Sequence, residues 1–440
     1  MPDSSIFTSI GDVFDPVASK DQDSYMYLET TPGGSIGRGI HLNSINIGKF
    51  TRELGTTVFE RPQSSFDSAM VIGKVSSKAS GSGTVSPTDL LYILSSLVAK
   101  VTPTVPTNNG RYILDLRGAT GGTFTLTFNS VATTALTVST ITSTIIGNAL
   151  VALSTLGRGC CQVVQEDSGV FSINLLGQYA VLGTLSGSFG SVTGGTGGAF
   201  IASPNATGLG IYRWTFPLTG SPQIQTYSVM QGLPDSPEKA TLAAYAFFAS
   251  LGITVTEKEV SLTTSMEARN VQTRESIVLS DFTDISLVLA HTAYWNFYSG
   301  KARIGGFGPA MLCSSFAATA ELNDYQMGLK TVGCNQPSFR GHMKQKPKTS
   351  FSLTLMENEE GLELVDAVEE GTQLYFVMEY LGPEIVGGYP YRILICFPYL
   401  SEQISSTEME GAQAIQLSGR MAQQGTVLPT IIIDTNISSL

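Results

Sequence analysis

The side chains that most often carry chemistry are few in this chain and stand apart. Its three histidines, His41, His291 and His342, are widely separated, and none sits in a spacing such as HExxH, which lets two imidazoles on one helix face grip a zinc ion. The five cysteines make neither a zinc site nor a disulfide framework: Cys160 and Cys161 are adjacent, while Cys313, Cys334 and Cys396 are scattered without CxxC spacing. Free, buried thiols in a reducing compartment are the expectation. Gly34, Gly37 and Gly39 would cradle a phosphate only in a GxGxxG spacing that opens a helix, and neither condition holds. Asp21 and Asp23 lack the further oxygen ligands of a calcium loop. With no GxSxG elbow or recognisable Cys/His pair, the sequence predicts no catalytic residues, no cofactor and no metal.

The elements behind these residues speak of architecture. An apolar fraction of 42% with 14% charge excludes global disorder and allows two or three domains, each with its own core. Thr, Ser and Val saturate the middle of the chain and favour strand over helix. Formal net charge is -11, and Arg111, Arg117 and Arg158 balance Asp115, Glu166 and Asp167 within residues 105–205, so the acidic excess lies outside that stretch. Such a surface does not attract nucleic acid, which needs Lys and Arg to displace counterions from phosphate. The opening Met1-Pro-Asp-Ser-Ser lacks the basic start of a signal peptide, and the apolar run Ile285–Ala290 is too short to span a bilayer, so no membrane segment is expected.

The second half of the chain repeats the first. Tyr25–Leu28 and the glycine-rich corner Gly33–Gly39 are answered by Tyr294–Tyr298 and Gly300–Gly308. Phe66–Ile72 before Leu90–Val98 is answered by Phe351–Leu355 before Leu362–Val368, Tyr227–Met230 by Tyr375–Met378, and Glu259–Met266 by Ala414–Met421. The order is kept throughout, which is the mark of a duplicated unit.

Along the chain, the first 20 or so residues read as a terminal arm. Ser86 caps a first helix with Pro87 at its start and Leu90, Ile93, Leu94, Leu97 and Val98 on one face; Asn358 caps a second, with Leu362, Val365 and Val368 as its buried stripe and Gly371 as its stop. Six carboxylates, Glu359, Glu360, Glu363, Asp366, Glu369 and Glu370, crowd the outer face of the second helix. They read as a solvated face, or as an electrostatic match for the loop Lys344–Lys348. Gly48–Ser65 and its counterpart Ala317–Lys348 read as long projecting loops or hairpins. Phe50, Phe59, Arg61, Met327, Phe339, Arg340, Lys344 and Lys346 are their candidate contacts between subunits or stacked rings. Ile431, Ile432 and Ile433 form a candidate C-terminal arm added to a neighbour's sheet.

Residues 105–206 interrupt the first copy. Thr123–Phe128, Leu136–Val138, a helix over Ile141–Leu156, Cys161–Gln165 and Val170–Leu175 predict a β-β-α-β-β module, followed by a flexible Gly/Ser/Thr-rich tail, Gly183–Gly198. The domains expected are therefore 1–104 with 207–280, the inserted module at 105–206, and 281–440. The insert is expected on an exposed loop, away from the host's core.

At Thr226–Gly232, Ala244–Val255 and Val260–Met266 the chain resembles the tail tube proteins of long-tailed, non-contractile bacteriophages. Ser350–Leu355, the helix from Glu359, Tyr389–Ile395 and Gln416–Arg420 are similar to that family's order of strand, helix, strand and closing strand. The insert's Gly122–Asn129 with its Ala/Leu helix is similar to a small module of phage structural proteins, except that its helix region ends in Gly157-Arg-Gly-Cys-Cys161. The resemblance implies a mainly β fold: two tandem tail-tube-like domains, each a β-sandwich or partly closed barrel with a flanking helix, plus the small α+β insert. It implies a virion protein, assembled in the cytoplasm of the host bacterium, whose rings stack into a tube that delivers DNA. Two domains per chain imply trimers closing a pseudo-hexamer, with DNA passing an acidic channel without specific binding. The partners implied are further copies of the chain, a tape measure protein, a tail terminator and baseplate or tip proteins. A minor tail, tail terminator or head-to-tail completion protein of related fold is the alternative. A surface adhesin or glycan-binding protein, with the insert as binding module, is a second, and an enzyme is disfavoured by the missing constellations.

Overall fold

Around Ile45–Ile47 apolar residues alternate with a polar one and one face of the strand is buried, whereas Met26–Glu29, expected to alternate likewise, is buried on both faces. A computed structural model describes residues 23–32, 36–42, 44–59, 69–106, 110–157, 159–194, 199–202, 208–218, 223–233, 236–275, 282–284, 288–301, 310–312, 315–323, 326–329, 341–345, 348–409, 411–425 and 427–440. Antiparallel strands dominate it, so the chain is mainly β.

The first half begins with β1 (Asp23–Glu29), β2 (Ile36–His41), β3 (Ile45–Ile47), β4 (Thr51–Phe59), β5 (Ala69–Gly83) and α1 (Pro87–Leu97). The insert supplies β6 (Arg111–Asp115), β7 (Gly121–Phe128), β8 (Val131–Ala132), β9 (Leu136–Thr137), α2 (Ser143–Val151), β10 (Cys161–Asp167), β11 (Val170–Leu175), α3 (Gln178–Leu182), β12 (Leu185–Thr193) and β13 (Ala199–Ala202). The first half resumes with β14 (Tyr212–Pro217), β15 (Tyr227–Leu233), β16 (Ser236–Thr256) and β17 (Val260–Glu275), and β18 (Phe282–Asp284) follows. The second half holds β19 (Trp295–Lys301), β20 (Ala310–Met311), β21 (Ser315–Asn323), β22 (Gln326–Leu329), β23 (Gly341–Lys344), β24 (Lys348–Met356), α4 (Glu359–Glu369), β25 (Leu374–Val386), β26 (Tyr389–Met409), β27 (Ala412–Met421) and β28 (Thr430–Thr435).

The repeat in the sequence is a repeat in strand order. Antiparallel neighbours run β1, β15, β16, β17, β5 in the first half. They run β19, β25, β26, β27, β24 in the second. A helix follows β5 and another follows β24 at the same point of the order. Matched leucines fix the register: Leu262 of β17 stands opposite Gly83, and Leu417 of β27 opposite Leu353. This corrects one expected match. The stretch that answers Phe351–Leu355 starts at Gly81, near the end of β5, and Phe66–Ile72 lies upstream of it. The long β4–β5 hairpin carries apolar residues beyond the repeated unit.

The two halves share one apolar core, against the expectation of a core for each. It runs from Met26 and Ile40 through α1 to Phe351, Phe376, Phe397 and Ile433. The reason is α1, which is buried on every side rather than along one face, between β16 of its own half and β28 of the other. Two of its polar side chains tie it to the strands around it. Asp89 accepts from the Ser44 N–H at 2.7 Å and the Ser44 hydroxyl at 2.5 Å, and the Ser96 hydroxyl accepts the Phe248 N–H at 3.0 Å. Helix α4 behaves as a surface helix. Asn358 caps it by accepting the Gly361 N–H at 3.1 Å, and Gly371 follows it at φ 71°, a conformation that favours glycine. Its buried stripe is Gly361, Leu364 and Ala367, with Val365 and Val368 beside it. The expected Leu362 is 48% exposed, because the backbone rotates the stripe by one position toward the sheet.

The insert has a core of its own, built on Tyr112, Phe124, Phe128, Ile146, Leu150, Phe171 and Tyr179. Helix α2 starts at Thr142, whose hydroxyl accepts the Ile145 N–H at 3.2 Å. Within the Gly/Ser/Thr-rich tail, where a flexible link was expected, residues 185–193 form β12, which pairs with β7, and Phe189 stacks on Phe124 at 5.6 Å. Small residues alternate there with the few apolar ones, so a strand forms on little hydrophobic signal.

Candidate functional site

In four strands of the molecule a lone charge interrupts an apolar run: Arg213 in β14, Glu379 in the first part of β25, Arg392 in the first part of β26 and Asp434 in β28. Strand pairing gathers them. β28 lies between β14 and β26, with Asp434 opposite Arg213 on one side and opposite Arg392 on the other. Nε and Nη2 of Arg213 donate to the two carboxylate oxygens of Asp434 at 2.7 and 2.8 Å. Arg392 completes the chain, with Nη1 3.8 Å from Asp434 and Nε 3.4 Å from Glu379. Neither Arg392 Nε nor Glu379 Oε1 makes a hydrogen bond, so that last contact is electrostatic proximity alone.

The second carboxylate oxygen of Glu379 faces the insert. It accepts the Gly177 N–H at 2.7 Å and the Tyr298 hydroxyl at 3.1 Å. Burial raises the pKa of Glu379, partly countered by the Arg392 charge and by these two donors. Burial likewise holds the Tyr298 phenol far above its ordinary range, so it stays protonated and donates. A side chain at Gly177 would meet the Tyr298 ring at 3.0 Å, and φ there is 59°, so glycine alone allows this approach. Around the contact, Leu176 and Val181 of the insert pack on Tyr298, Tyr375, Val377, Leu394, Cys396 and Ile432. The insert is thus seated on the sheet of the second half, whereas the sequence predicts a module held clear of its host. One cluster of alternating charge joins both halves and the insert, and what it does is hold three parts in register.

A second joint is a backbone ladder, with one side-chain hydrogen bond across it from the Thr319 hydroxyl to the Thr254 hydroxyl at 3.2 Å. β15 pairs with β16 as far as Ala246, and from Leu251 to Thr256 the same strand pairs with β21 of the second half. Within the first half a buried carboxylate ties β1 to β15 and β16: Glu29 accepts from the Thr226 and Ser228 hydroxyls and the Tyr245 N–H, each at 2.8 Å. Tyr245 has φ 53°, and this carboxylate anchors the irregular turn of β16 in which it sits.

The residues expected to reach other subunits are placed differently from one another. Phe50 is in the shared core and 7% exposed, and its N–H donates to Gln231, so it is no docking side chain. Ala317–Asn323, expected within a projecting loop or hairpin, belongs to β21, and the described residues of the remaining counterpart form the paired strands β22 and β23. That pair turns back on its own chain: Gly328 N–H donates to Glu267 at 2.7 Å, the buried Gln326 donates to the Leu97 carbonyl at 3.1 Å, and His342 packs on Tyr245 and Phe247. Met327 and Lys344 within it are half-buried, and burial lowers the Lys344 pKa. Phe59 ends β4, and Arg61, Phe339, Arg340 and Lys346 lie outside the described residues. Ile431, Ile432 and Ile433 are at most 3% exposed inside their own chain. The expected arm is a strand of its own sheet, because Ile431 and Ile433 face the shared core while Ile432 is covered by the insert.

Glu360, Glu363 and Asp366 of α4, with Glu370 just after it, line a surface cavity of about 360 Å³ with Ser299, Met311 and Leu312. Among the described residues no cluster of His, Cys, Asp and Glu is arranged to hold a metal ion, and no helix is long and apolar enough to cross a membrane. Cys160 and Cys396 are buried free thiols, and burial pushes Cys396 up to about 11, which keeps it protonated. Cys313 and Cys334 are outside the described residues. Sequence reading passed over Arg213, Glu379, Arg392 and Asp434. Their signal was there, as lone charges of both signs inside strongly apolar strands, which are buried only when paired.

No protein-family model matches the chain, and no curated protein sequence matches it.

Proposed function

We propose that this protein is a structural subunit of a bacteriophage tail tube. Three chains form a ring of six related units, and rings stack head to tail into the conduit for DNA. One observation carries the reading beyond the sequence resemblance. The repeated strand order is joined edge to edge through β16 and β21, so two like units already stand side by side in one chain. A cyclic arrangement of such units covers strand edges that would otherwise invite uncontrolled pairing.

The other features have natural places in this reading. The net charge of -11 disfavours adhesion of a transiting phosphate backbone. The insert packs on the sheet of the second half, and in this reading that face is the exterior of the ring, which gives it a three-fold outline. Further copies of the chain are the main partner, with a tape measure protein inside the tube and terminator and tip proteins at its ends. The protein acts by assembly, in the virion, without catalysis.

Negative-stain microscopy of the purified protein tests the proposal. Hollow tubes or three-fold rings are expected. A protein that stays dispersed and monomeric at high concentration overturns it.

A further inference from the structure

The stretch Gly157-Arg-Gly-Cys-Cys161, where the insert departs from the module it resembles, sets two cysteines side by side between α2 and β10. Cys160 is fully buried in the core of the insert, and Cys161 is half-buried against the same core. Cys160 lies in the bend ahead of β10, so the two side chains are not held to the opposite faces that strand alternation imposes. They meet: the Cys160 thiol donates a hydrogen bond to the Cys161 sulfur. That bond, together with burial, raises the Cys160 pKa, and the same bond lowers the Cys161 pKa against the opposing effect of burial. The more accessible sulfur is thus the one that ionises first, and its buried neighbour keeps a proton to give up.

The same turn touches the joint with the second half. The Cys160 N–H donates to the Gly157 carbonyl at 3.1 Å, and the Cys160 carbonyl accepts the Leu176 N–H at 2.9 Å. Cys161 stands opposite Leu175 in the β10–β11 pair. Leu176 packs on the sheet of the second half, and the next residue, Gly177, donates its N–H to Glu379. On the other side of the turn Gly159, at φ 72°, lies so close to Met311 of β20 that any side chain there would collide with it. The two thiols are therefore one residue from a contact with β20 and one hydrogen bond from the seat of the insert.

We propose that Cys160 and Cys161 are a peroxide-sensitive thiol pair, which closes to a disulfide between adjacent residues and thereby loosens the seat of the insert at Gly177. The Cys161 thiolate attacks one oxygen of the peroxide. The O–O bond breaks, the leaving oxygen takes a proton from solvent, and Cys161 becomes a sulfenic acid. The Cys160 sulfur then attacks the Cys161 sulfur: the S–S bond forms, the S–O bond breaks, and hydroxide leaves as water with the Cys160 proton. The two cysteines lose two electrons in all, and the peroxide gains them. Neighbouring Cα atoms across a trans peptide are about 3.8 Å apart, against roughly 4.4–6.8 Å in ordinary disulfides, so the bridge closes only as the backbone of this turn moves. That movement reaches Leu176 through the Cys160 carbonyl and Met311 through Gly159. A thiol reductant reverses it. Neither part of the proposal depends on the tube reading.

Peptide mapping of the full chain tests it. The protein is treated with hydrogen peroxide in the presence of dimedone, which traps sulfenic acids, then alkylated, digested and weighed by mass spectrometry. In the wild type the peptide holding Cys160 and Cys161 is expected to lose two hydrogens, to escape alkylation and to carry no dimedone. Cys160→Ala, which lacks the resolving thiol, is expected to carry dimedone at Cys161, and Cys161→Ser is expected to leave Cys160 reduced. A trapped Cys160 in place of Cys161 overturns the order of attack. A wild-type Cys161 that stays reduced, or is trapped or over-oxidised without bridging, overturns the thiol pair and needs no variant to do so. Hydrogen exchange reads the second part: the Gly177 amide is expected to exchange at least about tenfold faster in bridged than in reduced protein and to recover its protection after dithiothreitol. Equal protection in a fully bridged protein overturns the coupling to the seat of the insert.

Discussion

Arg213 in β14 forks onto Asp434 in β28 with both nitrogen-to-oxygen distances under 3 Å, at 2.7 and 2.8 Å, and so ties the first half of the chain to the last strand of the second. The two side chains are 12% and 3% exposed, so water cannot readily replace either partner. Removing one member strands a buried charge, and Asp434 serves two guanidiniums. Asp434→Ala is expected to cost about 3–5 kcal/mol in urea unfolding. A loss well under about 1 kcal/mol, the range of an exposed pair, would show that the site is solvated.

Glu379 gives the protein a pH dependence of unusual sign for a carboxylate. Its folded pKa is raised, chiefly by burial, so the folded state holds the proton more tightly than the unfolded chain does. The stability it contributes is complete below the unfolded value of about 4.3 and is lost as pH rises through the folded value. Glu379→Gln, which imitates the protonated form, is expected to gain on the wild type as pH rises. Urea midpoints of both proteins from acid to neutral pH read this directly, and a difference that does not change with pH rules it out.

The carboxylate of Glu29 organises three donors, two hydroxyls and the backbone N–H of a residue with left-handed φ. Glu29→Ala leaves those donors buried without their acceptor. The expected loss is about 3 kcal/mol of stability, with early hydrogen exchange at the Tyr245 amide as the local sign. Unchanged protection at Tyr245 would mean that the turn of β16 holds itself.

The insert begins and ends at neighbouring backbone positions, since the Thr104 N–H donates to the Arg213 carbonyl at 2.9 Å and the Arg213 N–H donates back to the Thr104 carbonyl at 2.7 Å. Replacing residues 107–207 by a short Gly/Ser link is therefore expected to leave a folded host. Excision also bares Ile432, Tyr298 and Leu394, so the melting temperature is expected to fall by several degrees, roughly 4–8 °C for each 1 kcal/mol in a small domain and less in a chain of this size. An unchanged melting temperature would return the insert to the status of an independent appendage.

Much of this molecule was legible in the order of its residues. Strand alternation at Thr123–Phe128, the Pro87 start of α1, the Asn358 cap of α4 and the matched order of the two halves all depend on neighbours in sequence, and periodicity records them. The exposed and buried sides of α4 slipped by one position, and the β12 strand was hidden in a run of Gly, Ser and Thr, because neither depends on local preference. Phe50 and Ile431–Ile433 read as exposed contacts for the same reason: an apolar side chain announces that it is buried, and leaves open what buries it.

The amino-acid sequence by itself determined a mainly β chain, a duplicated strand order with a helix in each copy, and an inserted module, since each follows from local periodicity and self-similarity. Tertiary structure alone decided that the two copies share a core around α1, that the insert is seated on the second copy, and that Arg213, Asp434, Arg392 and Glu379 meet. Those contacts join residues far apart in the chain, through strand pairings whose partners no local pattern names, and only the folded sheet brings their charges within reach of one another.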